Sequence, residues 1–563
     1  TEALPRPERE VVEDHGLEVY GNGKKEALID SMCQVLSQKG ISTRHDFYRL
    51  GGDSIKAIQV AARLHEKGFK LKVQDILANP VIEVMAQYIE PFQILNEQGI
   101  CEGDIEPGPI VFWFFAQEFT NPNYYNQSIV LEFSQNISTE KLAVIFRELI
   151  KHHDALRINY NRQKGKLFYN NKHLTRSFTI PEYDLSTSSP AAQIAKMNFL
   201  AERIQSGFDI ETSLLLRACI FNLDQNKKLL MLTAHHLVVD GVSWRIILND
   251  LNEVARQFDT GQDIQLPAKT SSYQKWAETL KAEALKYVRK DIHDEKKYWQ
   301  SVVNKEFIFQ YDFDLGPDFI ADSETIMIQL EEEATALLLS KANTPYNTTT
   351  YDLLITSLMR TIKKHTKNGS IVVELESHGR HDSLTEVDIS RTVGWFTCLY
   401  PFYIELKGEE ISCHIKEVKE QLKKVTNEAI TFGILKYLVK DNDLATEKRG
   451  LRFNYLGDFT RHLSDDGPFV LLTEQVGKNY DRKNSLTCLL DINCFISGGK
   501  LTGMLTYSKR KFKSETIESF AASFVSHIRE VLGHCLKQDK IEFTPSDFDM
   551  VSISPAELKN LFG

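Results

Sequence analysis

Two adjacent histidines followed by an Asp-Gly pair have the types and spacing best suited to proton transfer in this chain. His235 and His236 come directly after an apolar run, 229–234, and Asp240 and Gly241 follow shortly after them. An imidazole changes its charge near neutral pH, so a histidine held at the end of a strand can take up or deliver a proton. A single histidine beside an apolar run is more often a packed residue, but the pair with Asp and Gly favours chemistry.

A strand, a turn and a helix must hold this histidine pair in place. Residues 229–234 are a short apolar run of the kind that forms a buried strand. Residues 238–241 favour a turn, and Ser243 lies where a helix N-cap is expected, ahead of the helical pattern that begins at Trp244. The sequence therefore predicts a strand–turn–helix unit around the histidines.

A carboxyl group is the second candidate proton carrier. Residues 371–373 are β-branched, which predicts a strand that delivers Glu376 at its end, followed by residues 377–380 (SHGR). Burial raises the pKa of a carboxyl group, which can then act as an acid or a base near neutral pH. Taken alone, a glutamate is far more often a solvated surface residue, so its context must decide.

Ser54 is a third residue with chemical potential. It follows Gly51, Gly52 and Asp53, and the two glycines allow the backbone to turn sharply before an amphipathic helix. Ser54 is thus predicted at an exposed helix N-terminus, where a phosphate group is favoured electrostatically. The alternative is that Ser54 only caps its helix.

The helix after Ser54 belongs to a small helical unit. We expect a bundle of about 75 residues with four helical segments. Its segments are 24–37, 55–67, a short turn at 75–77, and 80–88.

Composition limits the remaining possibilities. The chain has 563 residues and a formal net charge of -10, without a basic block, which argues against a nucleic-acid partner. It contains neither an apolar stretch of transmembrane length nor an N-terminal signal peptide, so we expect a cytoplasmic protein without a membrane partner. The eight cysteines are scattered without zinc spacing, and we expect no bound metal.

Composition shifts divide the chain into segments. The large segment alternates strand-like and helix-like stretches, which is typical of an α/β domain, and its length predicts two lobes. The segments are a linker at 1–16, a helical domain at 17–92, a linker at 93–108, the large domain at 109–550 with lobes at about 109–275 and 276–550, and a tail at 551–563.

Several stretches resemble one family when taken in order. FYRLGGDSIKAIQVAARL around Ser54 resembles a peptidyl carrier motif, and the HHLVVDG of the histidine pair resembles that of condensation and epimerization domains. The chain is thus similar to carrier–epimerization didomains of nonribosomal peptide synthetases, especially the initiation modules of gramicidin S and tyrocidine synthetases. ESHGR at 376–380 departs from the family's EGHGRE at Ser377 and His381. Further matching motifs are RTVGWFT at 391–397 and FNYLG at 453–457.

The resemblance implies a fold and a cofactor. The fold is a small four-helix carrier bundle followed by a two-lobed α/β domain of the chloramphenicol acetyltransferase-like, condensation type. Ser54 would carry 4′-phosphopantetheine covalently, and Asp53 in GGDS would mark a carrier that precedes an epimerization domain. The 1–16 segment resembles the tail of an adenylation domain, so we expect that domain upstream, as a missing partner. A condensation domain of the next synthetase is the expected downstream partner, and the tail at 551–563 is a possible start of a docking region.

The implied reaction is epimerization at the α-carbon of an L-aminoacyl thioester, with phenylalanine as the implied amino acid. Two proton carriers are needed on opposite faces of the α-carbon, and His236 and Glu376 are the candidates. Donors must also face the developing enolate oxygen. The supporting residues and their expected roles are His235 in packing, Asp240 in a structural ion pair with Arg380 or Arg391, and Asn454, Tyr455 and Ser243 as donors to the oxygen.

Two other functions fit the same histidine motif. One is a condensation domain that forms a peptide bond between two carrier-bound groups. The other is a docking platform of the same fold without catalysis. The motifs after residue 370 and the GGDS of the carrier favour epimerization over both.

Overall fold

The structure is a computed structural model that describes residues 23–91, 98–133, 137–223, 227–289, 293–305, 310–366, 370–380, 387–426, 429–444, 450–458, 467–472 and 474–547. The predicted tail at 551–563, the 1–16 linker and His381 lie outside these ranges. Within the ranges, none of the helices is both long enough and apolar enough to cross a membrane.

The first unit is a small helical bundle. Its second helix begins at Ser54, because Asp53 Oδ1 accepts a hydrogen bond from Lys56 N at 2.8 Å and so caps the helix. Gly52 packs against the Phe47 ring so closely that a Cβ would lie 2.5 Å from it. The 75–77 segment, predicted to be a short turn, is part of a helix. The elements are α1 (Gly23–Leu36), α2 (Ser54–Glu66), α3 (Val73–Ala78) and α4 (Ile82–Met85), with a two-stranded ribbon of β1 (Phe69–Lys70) and β2 (Glu90–Pro91).

The N-terminal lobe of the large domain contains a five-stranded sheet and a three-stranded sheet. Strand β9 is buried from Leu229 to Ala234, as its sequence predicts, and all of these residues except Thr233 are apolar. The strands of this lobe are β3 (Asp104–Ile105), β4 (Asn126–Phe133), β5 (Ile158–Asn161), β6 (Lys166–Tyr169), β7 (Glu182–Asp184), β8 (Leu216–Asn222) and β9 (Lys228–His235). Its helices are α5 (Pro109–Ala116), α6 (Thr139–His152), α7 (Pro190–Gln205), α8 (Gly241–Asp259) and α9 (Tyr273–Arg289).

The C-terminal lobe is built on a six-stranded mixed sheet. In it, β11 and β13 run parallel, as do β13 and β15, whereas the other neighbours are antiparallel. The strand order is β10-β16-β15-β13-β11-β12. Its six strands are β10 (Ser323–Gln329), β11 (Ser370–Ser377), β12 (Cys398–Glu405), β13 (Leu451–Asp458), β15 (Leu490–Ser497) and β16 (Lys500–Ser508); β14 (Phe469–Leu472) follows β13 in the chain but belongs to the N-terminal sheet. The helices are α10 (His293–Val303), α11 (Glu332–Leu339), α12 (Thr350–Thr366), α13 (Ile411–Thr426), α14 (Ala429–Gly433) and α15 (Ser514–Leu536).

One strand crosses from the second half of the chain into the first lobe. Strand β14 pairs with β4, which gives the N-terminal sheet the order β14-β4-β9-β8-β7. The helix at the expected lobe division, α9, packs Tyr273 and Trp276 against Phe396. The two lobes are therefore joined by a shared sheet as well as by the chain.

Candidate functional site

The His236 side chain is held by its own loop and by a neighbouring strand. Its backbone N–H donates to Tyr125 O at 2.9 Å. The imidazole Nδ1 donates to Val239 O at 2.8 Å, because a carbonyl can only accept. Nε2 therefore carries the lone pair of the neutral ring, and it accepts from Gln127 Nε2 at 2.8 Å. The ring stacks on Trp395 with centroids 4.3 Å apart.

The two histidines of the pair differ in what they can do. Burial lowers the pKa of His236 to about 4, and the charge of Asp240 opposes that effect. His235 is fully buried, and burial lowers its pKa to about 3. Its Nε2 donates to Pro122 O at 2.8 Å and its Nδ1 accepts from Leu237 N at 3.2 Å. Both His235 nitrogens are thus used to hold the loop.

Asp240 is the centre of a buried polar cluster. It caps α8 by accepting from Ser243 N at 2.7 Å, and it also accepts from Phe396 N at 3.1 Å. Arg380 Nη2 lies 3.3 and 3.4 Å from its two carboxylate oxygens. The second terminal nitrogen of Arg380, Nη1, donates to the carbonyls of Ile389 and Thr392 at 2.8 and 2.7 Å. Arg380 is therefore the ion-pair partner of Asp240.

Arg391, the alternative partner expected for Asp240, lies elsewhere. Its guanidinium group contacts Asp250 of α8 at 2.5 Å, and it also contacts Glu66 of the helical bundle. Asp250 Oδ2 in turn accepts from His153 Nε2 at 2.9 Å. The prediction that Arg391 could serve Asp240 is wrong, because Arg391 links the bundle to α8.

The predictions for Ser243 also need correction. Asp240, rather than Ser243, is the N-cap of α8. The Ser243 hydroxyl is fully buried; it donates to Gly394 O at 2.8 Å and accepts from Gly394 N at 3.0 Å and from Arg380 Nη2 at 3.2 Å. Its only proton is already donated, so this hydroxyl has none to offer an oxyanion.

Glu376 has the environment of a carboxyl group suited to proton transfer. It lies near the end of β11, and its carboxyl group makes no hydrogen bond or ion pair with the part of the chain that the structure describes. Burial raises its pKa to about 7. Arg452 lowers this pKa, whereas the charges of Asp491, Glu374 and Asp240 raise it. Arg452 is itself engaged by Glu374, at 2.5 Å.

A cavity of about 690 Å³ brings most of the predicted site residues together. It lies between the helical bundle and the large domain, and Glu376 lines it together with Ser54 of the bundle. His236 is not among the described residues that line it, nor are His235, Ser243 and Arg391. The predicted residues on its wall are Asp53, Ser54, Asp240, Glu376, Arg380, Asn454 and Tyr455.

His236 and Glu376 share two neighbouring side chains, Asp240 and Tyr125. Asp240 lines the cavity, and its charge raises the pKa of both His236 and Glu376. The Tyr125 ring lies 5.8 Å from the His236 ring, and the charge of Glu376 contributes to the raised pKa of Tyr125. Both groups therefore lie around the same Asp240 and Tyr125 side chains.

Ser54 suits the attachment of a phosphate-linked group. It is half-buried at the N-terminus of α2, and its hydroxyl makes no hydrogen bond with the residues that the structure describes. The N-terminus of the 13-residue helix α2 favours a phosphodiester. Ser54 lines the same cavity of about 690 Å³ as Glu376.

Sequence reasoning missed Gln127, which contacts His236, and Tyr125, which packs on it. The only indication in the sequence was the polar YNQS segment at 125–128, where β4 begins. This segment lies more than a hundred residues before the histidine pair, so nothing local links the two. The described residues also include one group that could hold a metal ion, formed by His152, His153 and Asp250. Arg391 already places a positive charge on Asp250, which disfavours a cation there.

The fold and the site define a class of protein. A carrier bundle presents its serine to a cavity in a two-lobed α/β domain, and a strand end in that domain carries HHxxxDG. The chain belongs to the condensation-domain family, whose description matches residues 110–553, and it contains a phosphopantetheine attachment site domain at residues 26–89. This makes it part of a nonribosomal peptide synthetase, whose carrier domain is of the kind that takes a covalently attached 4′-phosphopantetheine.

Curated relatives are peptide synthetases of bacilli. Gramicidin S synthase 1 of Brevibacillus brevis is 33% identical over 582 residues, with 99% of this chain and 52% of the relative covered. Tyrocidine synthase 1 of Brevibacillus parabrevis is 32% identical, with 100% and 52% covered. Surfactin synthase subunit 1 of Bacillus subtilis (strain 168) is 34% identical, with 99% and 16% covered. The chain thus spans about half or less of these relatives.

Solved structures share the fold. The crystal structure of the epimerization domain from the third module of tyrocidine synthetase B is 32% identical, with a TM-score of 0.72, and the match covers 78% of this chain and 98% of that one. The first condensation domain of the calcium-dependent antibiotic synthetase is 16% identical, with a TM-score of 0.58 and 81% and 100% covered. The second match shows the fold alone.

Proposed function

We propose that this chain is a carrier–epimerization didomain. It interconverts the L and D forms of an aminoacyl group, here phenylalanyl, that is held as a thioester on Ser54. The single observation that carries the proposal is the cavity that Ser54 and Glu376 both line; Glu376 is half-buried there, and its carboxyl group has no hydrogen-bond or ion-pair partner among the described residues. The 32% identity to an epimerization domain of tyrocidine synthetase B supports the same reading.

The cofactor contributes the thioester, and the protein contributes the proton carriers. The 4′-phosphopantetheine on Ser54 supplies the thiol that carries the aminoacyl group into the cavity. Tethering replaces diffusional binding by a high local concentration of substrate, so contacts between carrier and domain can be weak. Epimerization then requires one group to remove the α-proton and a second group to return a proton to the opposite face.

The pKa values of His236 and Glu376 indicate which group accepts the first proton and which donates the second. At pH values between about 4 and 7, His236 is neutral and Glu376 is protonated. The neutral imidazole can accept a proton at Nε2 while the carboxyl group can donate one. In this charge state, His236 and Glu376 together carry the one transferable proton that is needed: one group accepts the α-proton and the other donates a proton to the opposite face.

Other residues of the site position these groups. Asp240 holds the α8 N-terminus and Arg380, and it accepts from the backbone N–H of Phe396 beside Trp395, on which the His236 ring stacks. Asn454 and Tyr455 lie on the cavity wall, and we assign to them the donation of hydrogen bonds to the thioester oxygen as it gains charge. No resident metal is required for this chemistry.

The partners follow from the modular family. Carrier and condensation-type domains handle thioesters within a synthetase. We infer that an adenylation domain loads Ser54 and that a condensation domain of the next synthetase takes the D-aminoacyl group.

The test is to load Ser54 with L-phenylalanyl-phosphopantetheine in heavy water, release the amino acid and determine its chirality and α-deuterium content. D-phenylalanine with deuterium at the α-carbon is the expected product. Unchanged L-phenylalanine without deuterium would refute epimerization. Formation of a dipeptide when a second aminoacyl thioester is added would instead indicate a condensation domain. His236→Ala should lose most of the exchange while the protein stays folded.

A further inference from the structure

The side-chain amide of Gln127 makes the closest polar contact to the proton-accepting atom of His236. Gln127 lies on β4 and pairs in register with Ala234 of β9, so both side chains are set by neighbouring strands. Its Nε2 lies 2.8 Å from His236 Nε2. Since Nδ1 donates to Val239 O, the Gln127 amide must donate to the lone pair on Nε2.

The other end of this amide is unsatisfied. Gln127 Oε1 is buried and makes no hydrogen bond to any residue that the structure describes. A buried carbonyl oxygen without a donor is costly, so such an atom calls for an explanation. A half-turn of the amide exchanges its nitrogen and oxygen. It would then place this acceptor against His236 Nε2.

The imidazole itself cannot turn to meet a different partner. Its Nδ1 donates to Val239 O, and its ring packs against both Trp395, at 4.3 Å, and Tyr125, at 5.8 Å. When Nε2 gains a proton, the hydrogen bond at this atom must therefore be rearranged by its partner, Gln127, rather than by the imidazole ring.

We propose that Gln127 positions His236 for proton transfer, donating to Nε2 of the neutral imidazole and, after a half-turn of its amide, accepting from Nε2–H of the imidazolium ion. The assignment rests on the proposed function, in which His236 is one of the two proton carriers. Gln127 acts through His236 and is a positioning residue.

The proton balance shows why both ends of the amide are used. The lone pair that Gln127 occupies is the one that receives the α-proton, so the amide leaves Nε2 when the substrate arrives. The C–H bond breaks, an N–H bond forms at Nε2, and the electron pair of the C–H bond stays on the substrate. The imidazolium N–H then needs an acceptor until the proton is released, and Gln127 Oε1 supplies it.

Other charged or titratable groups around His236 also influence its pKa. They are Asp240 at the start of α8, His235 on β9 and Tyr125 before β4, whereas the Trp395 segment contributes only an indole ring. All of them remain unchanged in a Gln127 variant. A change in the His236 titration can therefore be assigned to position 127.

The first experiment is a ¹⁵N NMR titration of histidine-labelled, unloaded protein, with the His236 signals identified by their loss in His236→Ala. Gln127→Glu replaces the amide by an acceptor-only carboxylate, and the His236 midpoint should rise by about one pH unit or more. A smaller shift would overturn the proposal. Gln329→Glu on β10 is the matched control and should leave the midpoint unchanged.

Two further measurements do not depend on the folding of that variant. In the wild-type protein, the ¹⁵N shift of Nε2 should be that of an unprotonated nitrogen at pH 7, and a protonated Nε2 would overturn the proposal. Gln127→Met keeps the length but removes both hydrogen bonds, and with a phenylalanyl N-acetylcysteamine thioester kcat should fall by up to about a hundredfold at unchanged KM. An unchanged kcat would also overturn it. Since the titrations use unloaded protein, they remain informative even if wild-type protein shows no epimerization.

Discussion

Arg391 of the large domain contacts Glu66 near the end of carrier helix α2 and Asp250 of α8 with the same guanidinium group. Asp250 is fixed by His153 on its other oxygen, at 2.9 Å. Asp250 of the large domain therefore holds Nη2 of Arg391, while Nη1 of the same side chain contacts Glu66 of the carrier. The neighbouring carrier residue His65 lies 3.8 Å from Asp388, so two adjacent side chains of α2 contact the same segment.

This arrangement predicts that Glu66 contributes to carrier docking. Glu66→Lys places a cation against Arg391, so α-deuterium exchange of the carrier-bound substrate should fall by about tenfold. Exchange of a free phenylalanyl N-acetylcysteamine thioester, which needs no docking, should stay the same. Glu83→Lys, elsewhere on the carrier surface, is the control. Equal losses with both substrates would show that Glu66 affects the site rather than the docking.

Glu376→Gln should abolish most exchange and yet improve stability at alkaline pH. Removal of a general acid or base costs about 10²–10⁴-fold in rate. The folded-state pKa of about 7 lies above the ordinary value of 4.5, so the wild type loses stability as pH rises from 4.5 through 7, and the variant does not. At pH 8 we expect the variant to be more stable by about 1–3 kcal/mol, and at pH 4 equally stable.

Chemical denaturation at these two pH values measures the difference. Glu405→Gln, an exposed glutamate on the neighbouring strand β12, is the matched control and should change neither exchange nor stability. If Glu376→Gln kept the full exchange rate, Glu376 would not be a proton carrier.

Local patterns predicted most of the elements that carry the site. The apolar run before His235 is a buried strand, and the GGDS segment does precede a helix whose first residue is Ser54. These features depend on residues close together in sequence, whose periodicity and capping preferences are readable directly.

Contacts between segments that are distant in sequence could not be predicted from local patterns. Asp240 could pair with either of two arginines, and only the fold shows that Arg380 reaches it while Arg391 contacts the carrier. Gln127 lies on β4, and its contact with His236 depends on the register between β4 and β9. Strand β14 completes a sheet whose other strands lie more than 230 residues earlier, which no local pattern indicates.

Asp240→Asn should be far more damaging to stability than its small size change suggests. The substitution leaves the buried Arg380 guanidinium group without its counter-charge, and the loss of one partner of a buried ion pair costs about 3–5 kcal/mol. The N-cap hydrogen bond from Ser243 N can persist, because Asn also caps helices. Urea denaturation measures the loss, with Asp388→Asn, which is more exposed, as the control. A loss below about 1 kcal/mol would show that the pair contributes little.

The final prediction concerns the pH dependence of exchange. The active charge state has a neutral His236 and a protonated Glu376. His236 gains a proton as pH falls through about 4, and Glu376 loses its proton as pH rises through about 7, so the rate should be highest between these values and fall on both sides. Initial rates of α-deuterium incorporation across this range, with circular dichroism to confirm folding at the acid end, measure the profile. A rate that stayed constant from pH 6 to pH 9 would contradict the role of a protonated Glu376, because its carboxyl group is ionised over most of that range.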